Sequence, residues 1–395
     1  MRRATGKSTT FQTGWVVTVA AMHWAHDTYS AFLTPLLPAF IEKLALTNTQ
    51  AGSLAAFYQL PSLIQPLIGY WGDRRDLRYF AIISPAITAV MMSLLGIAPS
   101  YAWLALLLVI AGCSSAALHT VVPALTGQLS GHDLGRGMSF WMVGGELGRT
   151  LGPLIVVSFV AWRGLESTPW LMTLGLLASA FFYLRFRSLP GNLTAQDREP
   201  HQDSWWQTII AMRAFLIPLA GLLVARSFMQ AALTTYLPIY MQASGASLWL
   251  SGAALSILEI AGVVGALFGG TLSDYLGRKR LLWLSLVTTS LLLLIFIQSQ
   301  GWWLFPLLLG LGFTALSAAP TLMALVQESY PDRRALANGI YMALNFAIRA
   351  GIVLIVGALS DWLGLRYAFM ISAVITLLGI PFILILPVGS PEKAL

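Results

Sequence analysis

Charge is what this chain has least of. Asp, Glu, Lys and Arg make up 10% of its 395 residues, where a water-soluble domain carries roughly 25%, so a soluble globular fold is excluded. Cysteine is almost missing as well. Cys113 stands alone, which rules out an internal disulfide and any Cys-x-x-Cys metal site. The sequence has no Gly-x4-Gly-Lys-Ser/Thr loop for nucleotide phosphates, no His-Glu-x-x-His and no Gly-x-Ser-x-Gly. An ATP-hydrolysing pump on this chain, a zinc peptidase and a serine hydrolase are thereby disfavoured. What abounds is apolar: 57% of residues are hydrophobic and the mean hydropathy is +0.74. That is about 225 residues, enough for ten to twelve membrane-spanning helices at ~20 residues each.

Long apolar runs broken by Gly, Pro and polar punctuation place twelve spans, at 14–41, 48–71, 79–98, 101–129, 137–161, 168–187, 209–242, 248–272, 280–298, 302–327, 335–360 and 366–387. Lipid offers backbone groups no partners, and the alternation of a barrel strand is absent, so the spans are helices. The first run is too long for a cleaved signal and carries His23, His26 and Asp27, so it is read as retained. With the N-terminus inside, seventeen of the 23 Lys and Arg fall in inner segments and three, Lys43, Arg163 and Arg366, in outer loops. Both termini are expected in the cytoplasm of an inner-membrane, multi-pass protein. The pI of 9.7 therefore reflects topology, and nucleic-acid binding is not expected. A polar stretch at 189–208 reads as a cytoplasmic linker between an N-terminal six-helix half, 1–188, and a C-terminal one, 209–395.

The halves look repeated. Ala31, Leu33, Thr34, Leu37 and Pro38 recur 200 residues later as Ala231, Leu233, Thr234, Leu237 and Pro238. Gly69, Asp73, Arg74 and Arg78 follow the second span, and Gly270, Asp274, Gly277 and Arg278 follow the eighth. This Gly-x-x-x-Asp-Arg/Lys-x-Gly-Arg-Arg/Lys pattern resembles the signature of the major facilitator superfamily, whose fold sets two parallel six-helix halves around a substrate site near the bilayer midplane. The 69–78 copy departs from it, with Asp76 where Gly is usual and Leu77 where a basic residue is usual. Within that superfamily the chain resembles the fosmidomycin-resistance group of drug:proton antiporters. The likeness lies in His23-x-x-x-Asp27, Gly112-Cys-Ser-Ser-x-x-x-His119 and Gly144-Gly145-x-x-Gly148-x-x-x-Gly152-Pro153. It departs after His119, where Thr120-Val121 replaces that group's Pro-Glu.

Ionisable groups inside a membrane are costly, about 3 kcal/mol or more each, and mark function. Here they are His23, His26, Asp27, His119, Glu146, Arg149, Arg226, Glu259 and Arg349, and spans 3, 6, 9 and 12 have no ionisable group in their interiors; the resemblance places those four against lipid. His23, His26 and Asp27 share a helix face, as do Glu146 and Arg149. Arg149 and Arg349 are 200 apart, as are His26 and Arg226. The arginines could converge on an anionic or phosphonate-like group; equally, each could neutralise an acid, since three acids balance three arginines. Asp27 is expected to carry a coupling proton, with His23 and His119 tuning it and Glu146 as the second candidate. Asp73 and Asp274 are expected to gate by accepting hydrogen bonds at helix N-termini. Gly144, Gly145, Gly148 and Gly152 have the spacing for close helix packing. Tyr29 and Gln59 lead a set of cavity-capable side chains that also includes Tyr58, Trp141, Gln230, Tyr236, Tyr341 and Asn345.

The reading is an all-α membrane protein of the major facilitator fold: a monomeric, proton-coupled secondary transporter working by alternating access, without cofactor and without enzymatic activity. Its expected cargo is a small organic or anionic compound, drugs included, moved outward. The alternatives are import of organic anions or phosphorylated solutes, flipping of a lipid-linked substrate and, in another class, a membrane-embedded enzyme.

Overall fold

The computed structural model describes residues 11–65, 67–68, 78–131, 134–187, 212–330 and 334–387, all helices and connections, with no strand among them. The helices are α1 (Thr13–Ser30), α2 (Leu33–Leu44), α3 (Asn48–Gln59), α4 (Arg78–Ser93), α5 (Tyr101–Leu129), α6 (Leu134–Arg163), α7 (Met172–Phe186), α8 (Arg213–Ala231), α9 (Leu237–Ala243), α10 (Leu248–Leu276), α11 (Arg278–Phe296), α12 (Leu304–Ser329), α13 (Arg334–Leu363), α14 (Leu365–Leu377) and α15 (Ile380–Ile385). Within the described residues, each expected span overlaps one of these or a broken pair. Among the described residues, nine helical stretches are long and apolar enough to cross a membrane, consistent with twelve.

Proline chemistry explains the breaks. Span 1 splits at Ala31-Phe32, because Pro35 has no N–H and its ring crowds the carbonyl four residues back, that of Ala31. Span 7 bears a π-helical turn over Ala232–Tyr236 just before Pro238, where the same defect is absorbed by one widened turn. The two interruptions sit at matched positions of the repeat.

The chain forms two compact units, Met1–Leu36 with Phe57–Arg198, and Leu37–Ala56 with Glu199–Leu395. The expected linker, 189–208, lies outside the described residues, and the short exchange at 37–56 was not anticipated from sequence. In the first unit α1 lies against α6 along the glycine stripe. A Cβ on Gly144 would strike the Ala20 carbonyl, one on Gly148 the Trp24 carbonyl and Thr28 amide, and one on Gly152 the Thr28 carbonyl. Only hydrogen atoms fit there, so backbones touch directly. The second unit uses the same device in a place the sequence reading missed: Gly265 faces the Phe313 carbonyl and Gly312 the Leu258 carbonyl, locking α10 to α12. Outward faces are apolar, with Leu174, Leu177, Phe181 and Leu184 exposed on α7, as lipid requires.

Candidate functional site

The first unit gathers six of the expected residues into one buried knot. Its centre is Asp27 on α1, 2% exposed. His26 Nδ1 donates to Asp27 Oδ1 at 2.8 Å, and His23 Nε2 lies 3.3 Å from Oδ2. From α5, His119 Nε2 comes within 3.6 Å of Oδ1 and 3.2 Å of His23 Nε2. From α6, Arg149 Nη1 lies 3.2 Å from Asp27 Oδ2, while its Nη2 pairs with Glu146 one turn earlier. Arg149 thus bridges two acids that sequence spacing could only propose as separate partners. Tyr58 joins the rim, beside Ser115 and Ser30.

The helices fix the rings. His23 stacks on Trp141, centroids 3.5 Å apart, and its ring covers Gly145, where any side chain would collide with it. His23 Nδ1 is 2.8 Å from the Trp141 carbonyl, and His119 Nδ1 is 2.9 Å from the Ser115 carbonyl. A carbonyl only accepts, so each Nδ1 carries the hydrogen, and each Nε2 presents a lone pair while its ring is neutral. The ligand-capable atoms of His23, Asp27 and His119 all lie within 4.8 Å of one another. His26, expected as a cargo contact, is fully buried, with Nδ1 on the Asp27 carboxylate and no partner for Nε2 among the described residues.

Other expected residues do different work. The Tyr29 hydroxyl donates to the Leu171 carbonyl at 2.6 Å, pinning α1 to the turn before α7. Gln59, Gln230 and Asn345 each bury a side-chain oxygen that finds no partner among the described residues; buried polar atoms of that kind are satisfied by water or ligand.

In the second unit, Arg226 on α8 is 4% exposed and donates to the Ala315 carbonyl at 3.1 Å. No carboxylate pairs with it among the described residues. It lines a small pocket with Gln230, Ser285, Thr289 and Thr376, so its cationic head lies inside the helix bundle of that unit. Arg349 on α13 donates to Thr234 Oγ1 at 2.9 Å. Glu259 on α10 is buried.

Of the gating set, Gly69, Asp73 and Arg74 lie outside the described residues, as does the side chain of Arg78. Gly270 lies in α10, and Gly277, at φ +90°, turns the chain from α10 into α11. Asp274 meets Arg278 at 2.6 Å, and Arg278 also donates to Ser273 and, at 2.7 Å, to Glu328 on α12. Within its own unit this acid thus engages a neighbouring guanidinium.

A helix N-terminus is instead held by Asp361, which sequence reasoning missed. Its carboxylate accepts the Asn48 amide at 2.6 Å, the Thr49 amide at 2.8 Å and the Thr49 hydroxyl at 2.5 Å, at the first turn of α3. Beside it the Tyr236 hydroxyl lies 2.7 Å from the Val353 carbonyl and 3.2 Å from that of Asn48. Gly52 and Gly357 leave room for that hydroxyl. These bonds are why 37–56 belongs with the C-terminal unit. A signal was available: Gly357-Ala-Leu-Ser-Asp361-Trp-Leu-Gly364 repeats Gly270-Thr-Leu-Ser-Asp274-Tyr-Leu-Gly277, and Gly364 also has φ +90°. The 30 residues of α13 rise about 45 Å, so this acid sits at the opposite end of the bundle from Glu328 and Arg278.

Comparison with known proteins fits this arrangement. The sequence model of the Major Facilitator Superfamily matches residues 19–274 and 252–395. The chain is 25% identical over 370 residues to the fosmidomycin resistance protein of Escherichia coli (strain K12), covering 91% of this chain and 90% of that one. It is 23% identical over 375 residues to the MFS-type transporter YfnC of Bacillus subtilis (strain 168), covering 92% and 91%. Among solved structures, a bacterial homologue of the human lysosomal transporter Spinster superposes with TM-score 0.76 at 14% identity over 96% of this chain and 95% of that one. A D-xylose-proton symporter gives 0.74 at 16% over 94% and 97%; both likenesses speak for the fold. With its helices, its repeat and its motif thus matched nearly end to end, the chain belongs to the major facilitator superfamily of membrane transporters.

Proposed function

We propose that the protein is a proton-coupled secondary transporter of the inner membrane, both termini cytoplasmic, that works as a monomer by alternating access and exports small organic or anionic, phosphonate-like compounds, drugs among them. The observation that carries the reading is the sharing of Arg149 between Asp27 and Glu146 in a knot of three histidines. A proton on Asp27 removes one of the two anions that hold Arg149, so the charge state of the carboxylate controls the guanidinium. Glu146 is the other proton candidate. Arg149 is 40% exposed in its side chain, which leaves it reachable by cargo, with Tyr58 near it and Gln59, whose buried oxygen has no partner among the described residues, as a further cargo candidate. Arg226, Arg349 and Glu259 are the corresponding charged groups of the second unit. Export is supported by the resemblance to the fosmidomycin resistance protein. The hold of Asp361 on the N-terminus of α3 supports alternating access, with the 270–278 motif as the expected gate.

One observation favours a second reading. An anion that draws Arg149 away from Asp27 leaves the carboxylate readier to take a proton, so proton and anion assist each other's binding, as cotransport requires. Organic-anion uptake with a proton is therefore the rival. The deciding experiment expresses wild type or Asp27→Asn at equal membrane levels in a pump-deficient bacterium and measures fosmidomycin susceptibility, then follows pH inside proteoliposomes on adding substrate. Protection by wild type that Asp27→Asn lacks, with proton flux opposite to substrate flux, supports the exporter. Absence of protection, with proton flux in the direction of an organic anion, overturns export in favour of uptake.

A further inference from the structure

The knot contains a feature that transport of a proton does not need. With each ring's Nδ1 turned to a carbonyl, His23 Nε2 and His119 Nε2 lie 3.2 Å apart, and Asp27 turns Oδ2 to the first at 3.3 Å and Oδ1 to the second at 3.6 Å. Both rings are held with Nδ1 protonated by backbone carbonyls, those of Trp141 and Ser115. Both Nε2 atoms and the carboxylate thus present lone pairs to one another, an arrangement that a shared cation, a proton or a metal ion, relieves.

We propose that His23, His119 and Asp27 form a binding site for a divalent transition-metal ion of the Zn2+ type. Zinc bonds of about 2.0–2.2 Å in a tetrahedron place neighbouring ligand atoms about 3.3–3.6 Å apart; the two imidazole nitrogens are 3.2 Å apart, the carboxylate offers Oδ2 to His23 and Oδ1 to His119, and one ligand atom from each residue lies within 4.8 Å of the others. The chemistry of the donors fits: two imidazole nitrogens and one carboxylate oxygen suit zinc, cobalt, nickel and copper rather than calcium or magnesium, which take oxygen.

The surroundings are those of a metal centre too. Ligating histidines characteristically give their other N–H to a carbonyl or carboxylate, which fixes tautomer and ring orientation, and both rings do so here. The carboxylate has outer partners in the His26 N–H, on Oδ1, and the Arg149 guanidinium, on Oδ2. His23 is clamped between Trp141 and Gly145, so little ordering is left for the ion to impose. Asp27 and Glu146 outnumber Arg149 by one negative charge, which favours an incoming cation. His119, 31% exposed in its side chain, opens the site on one side and leaves a fourth coordination position for water or for cargo. Three protein ligands with one open position is the arrangement of a site that exchanges ligands rather than a closed structural one.

The inference does not rest on proton coupling or on the direction of transport, and its test involves neither. Full-length protein, purified without a histidine tag in detergent, is titrated with ZnCl2 by calorimetry and with CoCl2 by visible absorption. Wild type is expected to bind one ion per chain, to give the intense absorption of tetrahedral cobalt, and to melt at a higher temperature with Zn2+ than without. His119→Gln, on the open side of the site, and Asp27→Asn are each expected to weaken binding by more than about tenfold and to lose the metal-dependent rise in melting temperature. Melting without metal checks that each variant is folded. A wild type that binds no Zn2+, or folded His119→Gln and Asp27→Asn proteins that bind it as tightly as wild type, would overturn the proposal while leaving the transport reading untouched.

Discussion

Replacing Asp361 by Asn tests the hold on α3 directly. The amides of Asn48 and Thr49 lie in the first helical turn, where no intrahelical carbonyl is available, so the carboxylate of Asp361 is what protects them. It accepts three hydrogen bonds, at 2.6, 2.8 and 2.5 Å. Asn keeps the shape and one acceptor oxygen but loses the charge and at least one of the three bonds. A hydrogen bond to a charged group contributes about 1.5–3 kcal/mol, and the favourable placement of an anion at a helix N-terminus about 0.3–1 kcal/mol. Asp361 is exposed, and water screens part of this, so the loss is about 1.5–2 kcal/mol, a ten- to thirtyfold change in the opening equilibrium. Hydrogen exchange followed by mass spectrometry on peptides spanning 44–59 should therefore speed up ten- to thirtyfold in Asp361→Asn. Asp274→Asn, about 45 Å away along the bundle, should leave those peptides unchanged. Equal exchange in wild type and Asp361→Asn, or equal acceleration by Asp274→Asn, refutes the assignment of the hold to Asp361.

Gly148→Val drives a branched side chain into the Trp24 carbonyl and the Thr28 amide, which cannot step aside as a side chain would. The cost is about 1–3 kcal/mol or more, read as a lower melting temperature in detergent, whereas Gly351→Ala, with nothing near its Cβ, should match or slightly exceed wild type. A Gly148→Val protein as stable as wild type would mean that α1 and α6 do not meet along this stripe. Tyr236→Phe removes the hydroxyl between the Asn48 and Val353 carbonyls and should cost about 1 kcal/mol. Combined with Asp361→Asn, the two effects on exchange at 44–59 should be non-additive, because both act on Asn48; strict additivity argues that they act independently.

The sequence determined the class of fold. Apolar runs of span length leave the backbone no choice but helix in lipid, and the 200-residue echo of Ala31, Leu33, Thr34, Leu37 and Pro38 pointed to two related halves, though not to the interruptions of helix found in both copies. The glycines at 144, 145, 148 and 152 likewise announced a close helix contact, since backbone approach is a local property of small residues at helical spacing. Within a helix, side-chain neighbours follow from spacing, and so His23, His26 and Asp27 could be placed on one face.

Tertiary structure decided the rest. Which acid an intramembrane arginine meets depends on how neighbouring helices are rotated and shifted, and no pattern along one helix carries that. Arg149 takes both Asp27 and Glu146, while Arg226 turns into its own bundle toward Ala315. The protonated nitrogen of His23 and of His119 is chosen by backbone carbonyls on α6 and α5, groups that every residue carries and that sequence cannot single out. The hold on α3 was half legible: the second Gly-x-Leu-Ser-Asp-x-Leu-Gly copy at 357–364 was there to be read, but its partners, the Asn48 and Thr49 amides, are more than 300 positions away in the chain. Sequence sets what each residue can donate, accept or bury; only the packing of helices on one another chooses the partner.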